Sequence, residues 1–223
     1  MNTTVGHPQD PLGSVDPSGD PGLEPRVCEI CYPVLRGRLL EVDHAHALYG
    51  ALKRACPALA GVSGLGILPL PGTPWGDRGE LLLAADAELR LRLPRILAPV
   101  AAGLERQPLT IQGRRILLGA PRLADLRPFP ALRARTVTLH FQNLDHDAAR
   151  EQLLRHFRAA FPGAVPELLR ARTLRIHGRQ ILGFEMTVRN LEPRASLRLQ
   201  FDGFGGRRAF GCGLFVPELR RAS

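Results

Sequence analysis

RTLRIHGRQILGFEMTVRNL (172–191) consists of two strand-forming runs that meet at His177-Gly178, the signature of a β-hairpin. Upstream, TVTLHFQ (136–142) reads as a strand. Asp145 can cap a helix over 146–161, whose apolar stripe is Ala149, Leu153, Phe157 and Ala160, with Arg150, Arg155 and Arg158 off the stripe. Downstream come a short element at 193–202, a glycine-rich passage and GLFVP (213–217). By pattern alone SLRLQF (196–201) alternates with period two and reads as a strand. The order β-α-β-β-α-β, together with the resemblance described below, requires a helix there instead.

The first half reads in the same order. VCEICYPVL (27–35) is a strand. Asp43 can cap a helix over 44–55, with Ala47, Leu48, Ala51, Leu52 and Ala55 as its buried stripe. GVSGLGILPL (61–70) and ELLLAADAELRLRL (80–93) look extended. In the latter, Leu89, Leu91 and Leu93 alternate with Glu88, Arg90 and Arg92 as in a half-buried strand. PRILAPVAAGL (94–104) reads as a helix and LTIQGRRILLG (109–119) as a hairpin turning at Gly113. RPFPALRAR (127–135) is a connector broken by Pro128 and Pro130. The expected fold is α+β: two tandem ferredoxin-like units over residues 26–130 and 131–223. Residues 1–25, rich in Pro, Gly, Asp and Ser, are expected to form a disordered tail.

The 223 residues hold 30 Lys and Arg against 21 Asp and Glu, a net charge of +9, which favours a polyanionic partner. Lys53 is the only lysine, and arginine supplies a planar fork suited to phosphate. No 18-residue apolar run is present, and no membrane role is expected. The opening MNTTVGHPQDPLGS has neither a basic start nor an apolar core, so an intracellular, cytoplasmic protein is expected. Cys28 and Cys31 form a lone C-x-x-C without a second ligand pair, so neither a metal nor another cofactor is expected.

GFGGRRAFGCGLFVP (203–217) carries the densest chemical signal. Its five glycines at 203–213 flank Arg207 and Arg208. Such a loop can approach a phosphate closely, or it can simply turn the chain into its last strand. GGRRAFGCGLFVP (205–217) together with DHAHALYGAL (43–52) resembles the repeat-RNA processing endoribonucleases of CRISPR systems. These belong to the repeat-associated mysterious protein superfamily, and a short variant fits best. RTLRIHGRQILGFEMTV (172–188) and CYPVL (31–35) support the likeness, which spans roughly residues 27–217.

The resemblance implies two ferredoxin-like units that bind a CRISPR repeat stem-loop and cut at the stem base without a metal. The products would be a 5′-hydroxyl and a 2′,3′-cyclic or 3′-phosphate. A histidine near the first helix would serve as general base and the glycine-rich loop would contact RNA. Members of the family often stay bound to the processed guide and join other subunits of a surveillance complex, and the sequence leaves open whether this chain releases its product.

The residues suit that chemistry. Histidine titrates near neutral pH, and a cation stabilises charge on the reacting phosphate. The resemblance assigns the base to His44, at the helix mouth, and His46 stands where a tyrosine is expected. Helical spacing instead gathers His46, Tyr49 and Lys53 on the face opposite the apolar stripe. The choice between the histidines is open at this level. His140, His146, His156 and His177 read as structural or solvated. For RNA contact the candidates are Gly205, Gly206, Arg207, Arg208, Gly211 and Gly213 in the loop. Arg175 and Arg179 on one hairpin and Arg114 and Arg115 on the other complete the set.

Two other function classes compete. One is a non-catalytic RNA-binding subunit of a CRISPR effector complex, which has no need of a histidine beside Lys53. The other is an unrelated sheet-face RNA reader, which wants exposed aromatics for stacking. Aromatics are only 5% of this chain, with one Trp and two Tyr, and this argues against it.

Overall fold

Leu89, Leu91 and Leu93 point into one apolar core, as their alternation predicts, and each is fully buried. The structure, a computed structural model, describes residues 27–141, 145–176 and 178–218. The expected tail over 1–25 and the turn residue His177 lie outside them.

In chain order the first unit runs β1 (Val27–Arg36), β2 (Leu39–Glu41), α1 (Ala45–Ala55), β3 (Gly66–Ile67), β4 (Gly72–Trp75) and β5 (Glu80–Leu83). It continues with β6 (Glu88–Pro94), α2 (Ala98–Ala102), β7 (Pro108–Ile111), β8 (Arg114–Leu118) and β9 (Arg122–Ala124). The second unit is β10 (Leu132–Val137), α3 (His146–Ala160), β11 (Val165–Ile176), β12 (Arg179–Arg189), α4 (Pro193–Asp202) and β13 (Phe215–Pro217). The main sheets order as β3-β6-β1-β8-β7 and β11-β12-β10-β13. Each holds the ferredoxin-like arrangement, so the expected fold class stands.

Several boundaries differ from expectation, each for a local reason. Residues 80–93 break at Ala84–Ala87, where Ala87 N–H bonds the Ala84 carbonyl. The halves part company there, with β5 joining β2 and β4 in a separate small sheet. Of residues 61–70, only Gly66–Ile67 is strand. The strand expected at 136–142 starts at Leu132 and ends at Val137, because Leu132 and Ala134 pair with both β12 and β13. Only the part of the connector before Leu132 is irregular. Residues 193–202 are helical despite their period-two pattern. Pro193 opens the helix, and Ser196, Leu199 and Gln200 are buried at helical spacing.

Two apolar clusters form, one from residues within 28–118 and the other from residues within 132–215. Between them lies the main surprise of the fold. Arg92, expected on a solvated strand face, is fully buried. Its guanidinium pairs with Glu29 at 2.9 Å and donates to the backbone carbonyls of Gln200 and Phe215, each at 2.9 Å. Burial opposes ionisation of Glu29, but Arg92 and Arg90 outweigh it and hold the carboxyl below its usual value. The second unit therefore covers the polar face of β6, which periodicity alone cannot foresee. Cys28, Cys31, Cys56 and Cys212 are free thiols and buried.

Candidate active site

The chain enters α1 through Glu41-Val42-Asp43-His44. The helix starts at Ala45 with His44 in the cap position, and no side chain caps it. Asp43 is not the cap it was expected to be. Its carboxylate instead accepts the backbone N–H of Arg175 at 3.0 Å, tying the helix mouth to β11 of the second unit. Leu48, Ala51 and Leu52 are buried as the stripe predicts.

His44 is 2% exposed. Its Nδ1 stands 2.8 Å from the Glu41 carbonyl, and its Nε2 is buried without a partner among the described residues. A carbonyl only accepts, so Nδ1 carries the proton and the neutral ring leaves its lone pair on Nε2. Burial, reinforced by the Arg135 charge, pulls the His44 pKa below the ordinary value. The ring is therefore neutral near pH 7, as a base must be.

His44 lines a cleft between the two units of about 120 Å³. Val42, Asp43 and Pro69 contribute from the first unit; Arg135, Arg172 and Phe210 are among those from the second. Arg172 is held from beneath. Glu185 on β12 is 1% exposed and takes Arg170 and Arg172 at 2.7 and 3.1 Å, with Arg133 as a third partner. Burial and the neighbouring arginines push the Arg172 pKa down, yet a guanidinium stays charged.

His46, Tyr49 and Lys53 do share the outer face of α1, and that face meets the glycine-rich loop. Phe210 stacks on His46 with centroids 5.8 Å apart and meets Tyr49 edge-on at 5.4 Å. Lys53 Nζ lies 4.7 Å from the centre of the Tyr49 ring, and the Tyr49 hydroxyl accepts from Gly61 N–H at 3.4 Å. His46 and Lys53 remain exposed. The two stretches that carried the resemblance are thus packed on one another.

Within the loop, Gly205, Gly206 and Arg207 are exposed, while Gly211 and Gly213 are buried. Gly206 N–H bonds Thr138, Gly211 N–H bonds Arg208 and Gly213 N–H bonds Thr136, all at backbone carbonyls. Those three N–H groups are therefore engaged inside the protein. Arg208 turns inward and donates to the Phe201 carbonyl at 2.8 Å. Arg114 pairs with Glu80, whereas Arg115, Arg175 and Arg179 are exposed. Sequence reasoning missed Arg135, Arg172 and Glu185. The alternation in LRARTV (132–137) could have placed Arg133 and Arg135 on one strand face, but the stretch read as a connector. Among the described residues no helix is long and apolar enough to cross a membrane.

The sequence profile of the family described as Cas6 Crispr matches residues 28–220. The CRISPR-associated endonuclease Cas6 of Myxococcus xanthus (strain DK1622) is 38% identical over 194 residues, 87% of this chain and 83% of that protein. Among solved structures, a CRISPR associated protein Cas6 superposes with a TM-score of 0.59 at 12% identity, covering 86% of this chain and all of the other. A Cas6-related protein from Pyrococcus furiosus gives 0.60 at 13% identity over 87% of this chain and all of its own. The structures speak for the fold; the profile and the Myxococcus relative, each spanning most of the chain, show that this protein belongs to the Cas6 family of CRISPR-associated proteins.

Proposed function

We propose that this chain is an endoribonuclease that binds the stem-loop of CRISPR repeat RNA. It cuts without a metal ion, by attack of a ribose 2′-hydroxyl, to yield mature guide RNA. One observation carries the reading: His44 keeps its Nε2 lone pair unclaimed in a cleft that also holds Arg135 and Arg172. The name of the Myxococcus relative, an endonuclease, supports the reaction class.

In this mechanism Nε2 of His44 takes the 2′-hydroxyl proton as that oxygen attacks phosphorus. The bond from phosphorus to the 5′-oxygen breaks. The products are a 2′,3′-cyclic phosphate and a 5′-hydroxyl that has gained a proton. Arg135 and Arg172 stabilise the charge that builds on the phosphate oxygens; removing one such donor typically costs about 100-fold or more in rate. His46 and Lys53, exposed on α1, are the candidate proton donors to the 5′-oxygen. Tyr49 acts through packing, since its ring and hydroxyl are both engaged. Arg207, Arg115, Arg175 and Arg179 grip phosphates of the stem-loop. The guide stays bound and carries the protein into a complex with other CRISPR subunits.

A second reading is an RNA-holding subunit that does not cut. The burial of Nε2 favours it, because a hydroxyl reaches that nitrogen only after neighbouring side chains move. The deciding experiment incubates the protein with its repeat RNA in EDTA, beside His44→Ala, His46→Ala and the double variant. Cleavage by the unaltered protein, lost in His44→Ala with binding retained, is expected. Binding without cleavage by the unaltered protein gives the second reading. Cleavage only with added divalent metal overturns the mechanism.

A further inference from the structure

Trp75 is the one tryptophan of the chain, and it is 55% exposed. It ends β4, the outer strand of the small sheet β2-β5-β4. Its position there is tied to the cleft by register. Trp75 pairs with Glu80, and Glu80 pairs with Glu41. Directly paired residues of antiparallel strands share a face. On the opposite face Leu40 and Leu81, also paired, enter the core. Trp75, Glu80 and Glu41 therefore form an outward row across three strands. Neighbouring strands lie about 5 Å apart, so the row spans roughly 10 Å. It ends two residues before Asp43, on the rim of the His44 cleft. The hairpin tip is pinned to that rim, because Val42 N–H bonds the Gly79 carbonyl at 2.8 Å. The second hairpin closes over the row, with Arg114 paired to Glu80 and Gln112 donating to Glu41 at 3.2 Å.

The indole is more than half exposed on a hairpin whose tip is pinned, so it presents ring surface from a fixed position. By register it lies roughly 10 Å from Glu41, which precedes the Val42, Asp43 and His44 of the cleft. We infer that Trp75 is a stacking platform for an unpaired base of the RNA next to the cut, a one-base subsite at the open end of the row, whose Glu80 and Glu41 carboxylates are already taken up by Arg114 and Gln112. This rests on the reading of the chain as a repeat-RNA nuclease. Stacking suits a flank that is unpaired, since a free base offers both faces. The scarcity of aromatics that argues against a sheet-face reader does not bear on one placed residue beside a cleft.

A lone tryptophan makes its own reporter. The full chain is titrated with a repeat stem-loop RNA that carries a 2′-deoxy sugar at the cut site, to block cleavage, and five unpaired flanking nucleotides. Indole emission and the anisotropy of a dye on the RNA are followed together. Quenching is expected with the intact flank. It should be lost when the flank is removed or made abasic next to the cut. Trp75→Ala should weaken binding by about 5- to 100-fold and Trp75→Phe should restore most of it. RNA that binds and, with its 2′-hydroxyl present, is cut, yet leaves emission unchanged, overturns the stacking role alone. RNA that neither binds nor is cut overturns the nuclease reading and the subsite with it.

Discussion

The carboxylate of Asp43 accepts the backbone N–H of Arg175 at 3.0 Å, across 132 positions of sequence. It sits one residue before His44 and joins the helix mouth to the edge strand of the second unit. Asp43 is therefore a positioning residue for the cleft. Asp43→Ala should slow single-turnover cleavage at saturating RNA by about tenfold while costing only about 1 kcal/mol of stability, the ordinary worth of one hydrogen bond. Asp43→Asn keeps an acceptor oxygen and should restore most of the rate. Wild-type cleavage by Asp43→Ala would rule the role out.

The lowered pKa of His44 sets the pH behaviour. Unfolded, the residue titrates near its reference value of about 6.5. Folded, it holds its proton less tightly, so the unfolded state binds more protons as pH falls through that value. The contribution to stability is complete above about pH 6.5 and is lost toward the lower, folded pKa. Urea melts of the wild type and His44→Gln between about pH 5 and pH 8 should show a shallower acid loss in the variant. Cleavage limited by the base should hold its plateau through pH 6.5 and decline only at more acid pH. A rate still climbing steeply above pH 7 would assign the proton transfer to another group.

What sequence could and could not reveal follows from how local each cause is. The α1 stripe, the Asp145 cap and the long hairpin rest on neighbours in the chain. Asp145 does accept from Ala148 N–H, and Leu48, Ala51 and Leu52 are buried. Asp43 met the same residue-type rule as Asp145 and failed it, because a partner 132 residues away competes for the carboxylate. Arg92 fits a solvated face until the second unit covers it. Arg135 and Arg172 enter the site only because β10 and β11 lie on either side of β12. The loop and the first helix were each legible as signals. Their contact through Phe210 was not, since no spacing within either stretch encodes it.

Glu185 gathers Arg133, Arg170 and Arg172 beneath the cleft. Its negative charge lets guanidiniums from β10 and β11 gather on one face of the sheet, and it holds Arg172, which lines the cleft together with His44. Glu185→Gln removes the charge and sets an amide donor against guanidinium donors. Glu185 is buried but its arginines reach solvent, so the loss should be on the order of 1–3 kcal/mol, the range for a hydrogen bond to a charged group. Single-turnover cleavage, measured well below the variant's melting temperature, should fall more than tenfold. Total RNA affinity should hold or rise, because positive charge is no longer neutralised. A variant that melts early yet cuts at the wild-type rate would make Glu185 purely structural.

Two adjacent glycines separate the loop's folding role from its RNA role. Gly205 has φ +86°, and a Cβ there would lie 2.3 Å from the Thr138 carbonyl oxygen. Gly206 has open space around its Cβ position, and its conformation is one any residue adopts. Gly205→Ala should destabilise by about 1–3 kcal/mol. Each kcal/mol lowers the melting temperature of a chain this size by about 2–4 °C. Gly206→Ala should melt with the wild type, so any loss of RNA affinity there reports contact with the strand. Arg207→Ala, also exposed, should reduce the slope of log affinity against log salt by about one, the signature of one lost phosphate contact. If Gly206→Ala and Arg207→Ala both bind as the wild type does at every salt concentration, the loop shapes the last strand and does not touch RNA.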